Sequence, residues 1–180
     1  MHSEDYIETV QGSKYSEDAD FFGSPNISLA GKIIIEHDVV LRGDLAKIKV
    51  GKHCVIRSNC VIRPPSKKQK GTLSFFPMQI GSHSYIDTGT VLEAVKVGSF
   101  VHIGKNCIIG KRCIISDCCK IEDGTILPPD TVVAPFSCYA GVPGVLRDEL
   151  PGSFETSMVL LTRDHYFLFR PSPSAPAPSG

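Results

Sequence analysis

The chain has 180 residues, a length that suits about one domain, and its 42% hydrophobic content is enough for a sizeable core. Nineteen basic residues (Lys+Arg 19) balance nineteen acidic ones (Asp+Glu 19), giving a net charge of +0. That balance argues against nucleic acid or an anionic membrane as a partner held by overall charge, and no apolar run is long enough to span a bilayer.

In chain order, residues 1–26 form an acidic N-terminal segment, in which Glu4, Asp5, Glu8, Glu17, Asp18 and Asp20 outweigh the lone base Lys14. The opening Met1-His2-Ser3-Glu4-Asp5 has neither the basic start nor the apolar stretch of a signal or transit peptide. Without a secretory signal, the 7 cysteines read as reduced cytosolic thiols rather than a disulfide framework.

Residues 27–140 repeat with a period of six. Val97, Ile103, Ile109, Ile115, Ile121, Leu127 and Val133 are all branched aliphatics, and the fifth residue of each hexad (Val101, Cys107, Cys113, Cys119, Thr125, Thr131, Ser137) is small or β-branched. Gly98, Gly104 and Gly110 follow the first three aliphatics, and the same pattern runs upstream with slips through Val50-Gly51 and Ile80-Gly81. A period of six fits neither a helix nor an alternating strand. It fits a short strand followed by a corner, with the aliphatic and small positions inward and the glycine supplying positive φ. Three such strands close a triangular coil of about 18 residues, and stacked coils bury a column of Ile and Val. The fold class expected is therefore all-β, a parallel β-helix of about six to seven coils built from hexapeptide repeats.

Residues 64–79 break the repeat with Pro64-Pro65, Gly71 and a basic stretch, and read as a loop thrown out at a corner. Lys67, Lys68 and Lys70 would be solvated there, while Phe75 and Phe76 fold back. The loop is a candidate protein interface, its lysines meeting an acidic surface and a phenylalanine anchoring the contact. Residues 141–170 form a C-terminal extension. Ser153 can N-cap an α-helix whose stripe runs through Phe154, Met158, Leu161, His165 and Leu168. That helix should pack on the flank or end of the solenoid. The Pro/Ser/Ala tail, 171–180, reads as disordered.

Chemistry is sparse. Cys54, Cys60, Cys107, Cys113 and Cys119 fall in the small inward slot, no CxxC pair suggests zinc, and Cys118 should point outward as the more reactive thiol. His102 faces outward as in hexapeptide acyltransferases that use a histidine base, but the sequence supplies no acid to orient it. Leu41-Arg42-Gly43-Asp44 followed by Val50-Gly51 resembles the start of the γ-carbonic anhydrase-like β-helix family. Aligned by hexads, its three zinc-binding histidine positions fall on Arg63, Thr88 and Glu93. Those residues do not make a zinc site, and no bound zinc or CO₂ hydration is expected. Arg42 and Asp44 suit a structural ion pair.

A wider resemblance covers residues 5–150. Val39-Val40-Leu41-Arg42-Gly43-Asp44-Leu45-Ala46, Cys60-Val61-Ile62-Arg63-Pro64-Pro65, Ser116-Asp117-Cys118-Cys119-Lys120-Ile121 and Leu127-Pro128-Pro129-Asp130 together resemble the dynactin subunit 5 family, small left-handed β-helix subunits of the dynactin pointed-end complex. The resemblance implies a left-handed β-helix and a non-enzymatic subunit with no cofactor or metal. It implies a cytoplasmic, cytoskeleton-associated location and a part in linking cytoplasmic dynein to cargo such as endosomes. The partners implied are the sister β-helix subunit, the larger pointed-end subunit and the actin-related protein at that end, with dynein cargo or adaptors indirectly, no nucleic acid and no membrane insertion. The alternatives are a hexapeptide-repeat acyltransferase, or a γ-carbonic anhydrase-like protein that has lost its metal site.

Overall fold

The six-residue period becomes a three-sided coil. The computed structural model describes residues 5–171, in which three sheets of nine, six and six strands run along the molecule. We call them faces A, B and C. Ile34–Ile35, Val40–Arg42 and Ile48–Val50 make one turn through the three faces, and Val55–Ile56 and Val61–Ile62 begin the next. Ile34 lies beside Val55 and Val40 beside Val61, in parallel register. The aliphatic positions point inward: Ile103, Ile109, Ile115 and Ile121 are all 0% exposed. Each such side chain contributes about 1.5–3 kcal/mol relative to exposure.

The small inward slot has a second duty. Its Cys, Ser and Thr groups donate to carbonyls at the corners of the next coil: Cys54 Sγ to Gly81 O at 2.9 Å, Ser84 Oγ to Gly98 O at 2.9 Å, Thr90 Oγ1 to Gly104 O at 2.8 Å and Cys113 Sγ to Pro128 O at 3.1 Å. Strands only two residues long leave corner carbonyls outside the backbone ladder, and a buried carbonyl needs a donor. The inward cysteines are thus small donors. Burial pushes the Cys54 and Cys60 thiols up to about 12, out of the reactive range.

The repeat glycines serve a purpose other than the one expected. Positive φ falls two residues later, on Phe100, Asn106 and Arg112 rather than on Gly98, Gly104 and Gly110. What requires glycine is close approach between coils. A Cβ on Gly81 would sit 2.5 Å from the Gly98 carbonyl carbon, and one on Gly98 would sit 2.7 Å from the Asp117 nitrogen.

Two boundaries also differ. Parallel stacking begins at Lys14–Ser16, not at residue 27: that strand pairs with Ile34–Ile35, Asp20–Phe22 with Val40–Arg42, and Ile27–Leu29 with Ile48–Val50. Periodicity does not show the first two strands of this coil, because their inward positions are Tyr15 and Phe21, in edge contact at 5.0 Å, instead of Ile or Val. Bulkier rings fit the terminal coil, which has no further coil beneath it. The loop is shorter than 64–79, since Met78–Ile80 is a face C strand and Met78 is buried beside Ile48. Both ends of face A carry an antiparallel strand, Tyr6–Glu8 on one and Val145–Glu149 on the other, which cover otherwise open edges.

The helix α1, Phe154–Leu168, lies along the flank on face A. Ser153 stands at its N-cap, but its side chain makes no capping bond. The stripe it buries is Met158, Thr162 and Tyr166, whereas Leu161 and Leu168 are 40% and 77% exposed. The apolar spacing misled because the surface beneath is aromatic and imidazole-rich, which polar-tipped Thr162 and Tyr166 suit better than leucine. Residues 172–180 of the Pro/Ser/Ala tail and the first four residues of the acidic segment lie outside the described residues. Among the described residues no helix is long and apolar enough to cross a membrane.

Candidate protein-interaction surfaces

The excursion after Ile62 is a β-hairpin. Pro64 and Pro65 are buried at the corner between faces B and C, where a residue without N–H cannot continue a ladder. The chain then leaves as Ser66–Gln69 and returns as Thr72–Phe75, antiparallel. Lys70 and Gly71 at its tip both have positive φ, 47° and 78°, as a two-residue turn matched to strand twist requires. The hairpin is tethered to the solenoid by Arg112, whose guanidinium donates to Ser66 O and pairs with Asp130 at 2.8 and 3.0 Å. That pairing holds the Asp130 carboxyl below its ordinary range, with Lys67 adding to the effect.

Lys67, Lys68 and Lys70 are all exposed on this hairpin. Phe75 and Phe76 are half-buried, Phe75 opposite Ser66 at the base, so neither stands free as an anchor. The exposed apolar group is Leu73, 56% exposed and directly opposite Lys68. Sequence reasoning passed over it because the stretch read as an irregular loop. The alternation across Lys70-Gly71 was the available signal.

A second surface went unread. The outward positions of face B are Val40, Val61, Val91, Ile108 and Ile126, in register on successive coils. All are β-branched aliphatics, Ile108 is 46% exposed, and α1 lies on the other flank. The signal was the residue just before each inward aliphatic of this face, which is itself aliphatic every time.

The chemical candidates fare differently. Cys118 is buried, only 4% exposed, and burial raises its thiol pKa, so it is not the reactive thiol expected. It turns the corner at φ 57°, and the Glu155 carboxylate of α1 is near enough to raise the thiol pKa further. His102 is half-buried with its ring stacked 5.2 Å from Tyr85, and burial depresses its pKa. It borders an open groove of about 520 Å³ with Asp87, Lys120 and Glu122, but its Nδ1 has no hydrogen-bond partner and Glu122 is taken by Arg147 at 2.9 Å. A general base is normally oriented by a hydrogen-bonded acid, and His102 has none. Arg63 is exposed, Thr88 and Glu93 are half-buried, and among the described residues no three His, Cys, Asp or Glu side chains gather as a metal would require. Arg42 and Asp44 form a two-bond ion pair at 2.9 Å each, a turn brace.

Comparison with known proteins places this architecture. Several solved structures share the fold: the N-acyltransferase AntD from Bacillus cereus, in complex with dTDP and 3-hydroxybutyryl-CoA, matches with a TM-score of 0.67 at 14% identity, over 84% of this chain and 85% of that one. A variant of the same enzyme with dTDP and coenzyme A gives 0.70 at 13% identity, over 84% and 88%. At such identities the likeness is one of fold alone. Dynactin subunit 5 of Dictyostelium discoideum is 51% identical over 170 residues, 94% of this chain and 86% of that protein. The family model for dynactin subunit 5 matches residues 1–174, and the chain belongs to that family.

Proposed function

We propose that the chain is a non-enzymatic subunit of the dynactin pointed-end complex, cytoplasmic and cytoskeleton-associated, which helps link cytoplasmic dynein to cargo such as endosomes. Its neighbours in that assembly are the sister β-helix subunit, the larger pointed-end subunit and the actin-related protein. Family membership supports the assembly. The hairpin carries the docking role: a corner can be turned in two residues, yet here the chain builds a tethered tongue bearing Lys67, Lys68 and Lys70. The aliphatic ladder of face B, half-buried to exposed, supplies an apolar strip on the same solenoid.

The test is co-purification from cell lysate with identification of the recovered chains. The variant Lys67→Glu/Lys68→Glu/Lys70→Glu should melt within about 1 kcal/mol of the parent, since exposed charges contribute little to folding. It should recover less of the pointed-end subunits, with the larger loss at low salt where charges are less screened. Normal recovery at both low and physiological salt would remove the lysines from the docking role. A homotrimer recovered alone, with an acyl donor bound between subunits, would favour the acyltransferase reading instead.

A further inference from the structure

Most arginines of the solenoid are paired: Arg42 with Asp44, Arg57 with Glu36, Arg112 with Asp130 and Arg147 with Glu122. No lysine among the described residues is ion-paired, and at one corner two of them share a cavity. Between faces C and A, near the start of the solenoid, Lys32 and Lys52 of successive coils line a cavity of about 450 Å³ together with His53, Gln11 and Gly31. Arg163 of α1 does not line the cavity but is near enough to act electrostatically on His53. After burial and the neighbouring His83, it is Lys32, Arg163 and Lys52 that depress the pKa of His53. None of these three cations has an ion-paired acid among the described residues. Lys14, the next cation along, stands opposite Glu8 in the terminal strand pair.

The corner is built rather than loose. The Tyr166 hydroxyl donates to Gly12 O at 2.6 Å, its ring meets His53 edge-on at 6.0 Å, and the Lys32 ammonium lies 5.1 Å from the same ring's centre. The His53 Nδ1 is buried and has no hydrogen-bond partner. Adjacent coils lie about 4.8 Å apart, so the two lysines are anchored close together and repel each other. A bound anion would remove that repulsion and offer acceptors to donors that lack them.

We propose that this corner is a binding site for a phosphate-bearing small anion, with Lys32 and Lys52 donating to its oxygens and Arg163 of α1 adding positive potential from nearby. Two lysines with an arginine nearby carry more positive charge than a single carboxylate can neutralise. A phosphate monoester brings a charge of about −2 and three strong acceptor oxygens. The cavity falls within the size range of small-molecule sites, about 300–1,000 Å³, and would admit a diphosphate or a phosphorylated headgroup. The site lies apart from the hairpin, which projects from the corner between faces B and C.

The test uses the full chain at low salt, titrated calorimetrically with inorganic pyrophosphate and sedimented with phosphatidylcholine vesicles with or without phosphatidylinositol 4,5-bisphosphate. Saturable one-to-one pyrophosphate binding is expected, weakened about tenfold or more in Lys32→Gln/Lys52→Gln, since hydrogen bonds to charged groups are worth at least that much. The control Lys49→Gln/Lys96→Gln removes the same charge from exposed positions of face C and should bind like the parent. Arg163→Gln provides a second variant, with its melting temperature as the check on folding, and should show the same direction of loss. Vesicle binding in addition would identify a lipid headgroup, and pyrophosphate binding alone a soluble phosphate compound; either supports the site. Absence of saturable pyrophosphate binding, or an equal loss in the face C control, would overturn it.

Discussion

Faces A and B begin from the same material and end differently. Both place apolar residues outward: Ile34, Val55 and Tyr85 on A, and Val40, Val61, Val91, Ile108 and Ile126 on B. On face A those three are 0%, 1% and 6% exposed, with Val55 and Tyr85 in a cluster with Met158 of α1. On face B the ladder remains half-buried to exposed, Ile108 at 46%. The hexapeptide pattern fixes what points inward. What becomes of an outward apolar residue depends on whether some distant segment returns to cover it, and here one segment covers one face. Contiguous apolar patches left exposed on a folded protein mark interaction surfaces when they are large.

The largest expected effect tests what the two faces share. Ile103 lies inward on face A and Ile109 inward on face B, both fully buried. Ile103→Asp and Ile109→Asp should each prevent soluble folding, because an unpaired buried carboxylate costs several kcal/mol against a total stability of about 5–15 kcal/mol. Each coil also supports its neighbours, so the damage spreads. A soluble variant of either with native circular dichroism would show that the inward register is wrong.

A smaller effect should be confined to face A. Along its seam with α1, His53 stacks on His83 at 4.9 Å, His83 on Phe100 at 5.7 Å, and His83 Nδ1 lies 2.9 Å from Thr162 Oγ1. His165 meets Tyr85 edge-on at 5.6 Å. Burial is the leading cause that lowers the pKa of His53, His83, His102 and His165 below the ordinary 6.5. Lys32, Lys52 and Arg163 push His53 the same way, Arg163 pushes His83, Lys120 pushes His102 and Arg57 pushes His165, while Asp87 opposes at His102 and His165, with Asp123 at His102 and Glu36 at His165. A histidine held neutral by docking binds fewer protons docked than released. Docking is therefore fully stable above the released pKa of about 6.5 and weakens as pH falls below it. Hydrogen exchange from about pH 7.5 to about pH 5, corrected for intrinsic rates, should show α1 losing protection while face B strands keep theirs. Equal loss on both faces would mean global acid unfolding, and no loss would remove the histidines from the latch.

The legible and illegible parts divide along the same line. Period six at Val97 through Val133 was enough to give the coil, its core and the inward cysteines, because each inward residue is set by neighbours six and eighteen positions away. Tyr15 and Phe21 hid the first two strands of the first coil, since a terminal coil takes rings where a middle one takes Ile. Met78 hid the return from the hairpin. Cys118 and the buried stripe of α1 could not be placed, because both depend on a contact between segments far apart in sequence that periodicity does not encode. The lysines of the hairpin were legible as charge, but Leu73 between them was not, and the face B ladder was present in the sequence without a reason to separate it from the core beside it.

The smallest effect on folding belongs to face B, and it decides whether the outward ladder matters. Ile108→Lys/Ile126→Lys puts two ammonium groups in the middle of the strip, at positions where lysine can lift its charge into water along an aliphatic stem. Ile108 is already nearly half exposed, so each substitution should cost less than about 1 kcal/mol and the melting curve should stay close to that of the parent. Docking is another matter. A partner surface laid over this ladder would bury both ammonium groups without counter-charges, a penalty of several kcal/mol that water cannot relieve once excluded. Affinity for the pointed-end subunits proposed as its partners should therefore fall by about a hundredfold or more, each 1.4 kcal/mol being a factor of ten, and adding salt should not restore it because the lesion is desolvation rather than screening. Unchanged recovery with an unchanged melting curve would leave face B as solvent-facing strand, and would return the whole of the docking role to the hairpin.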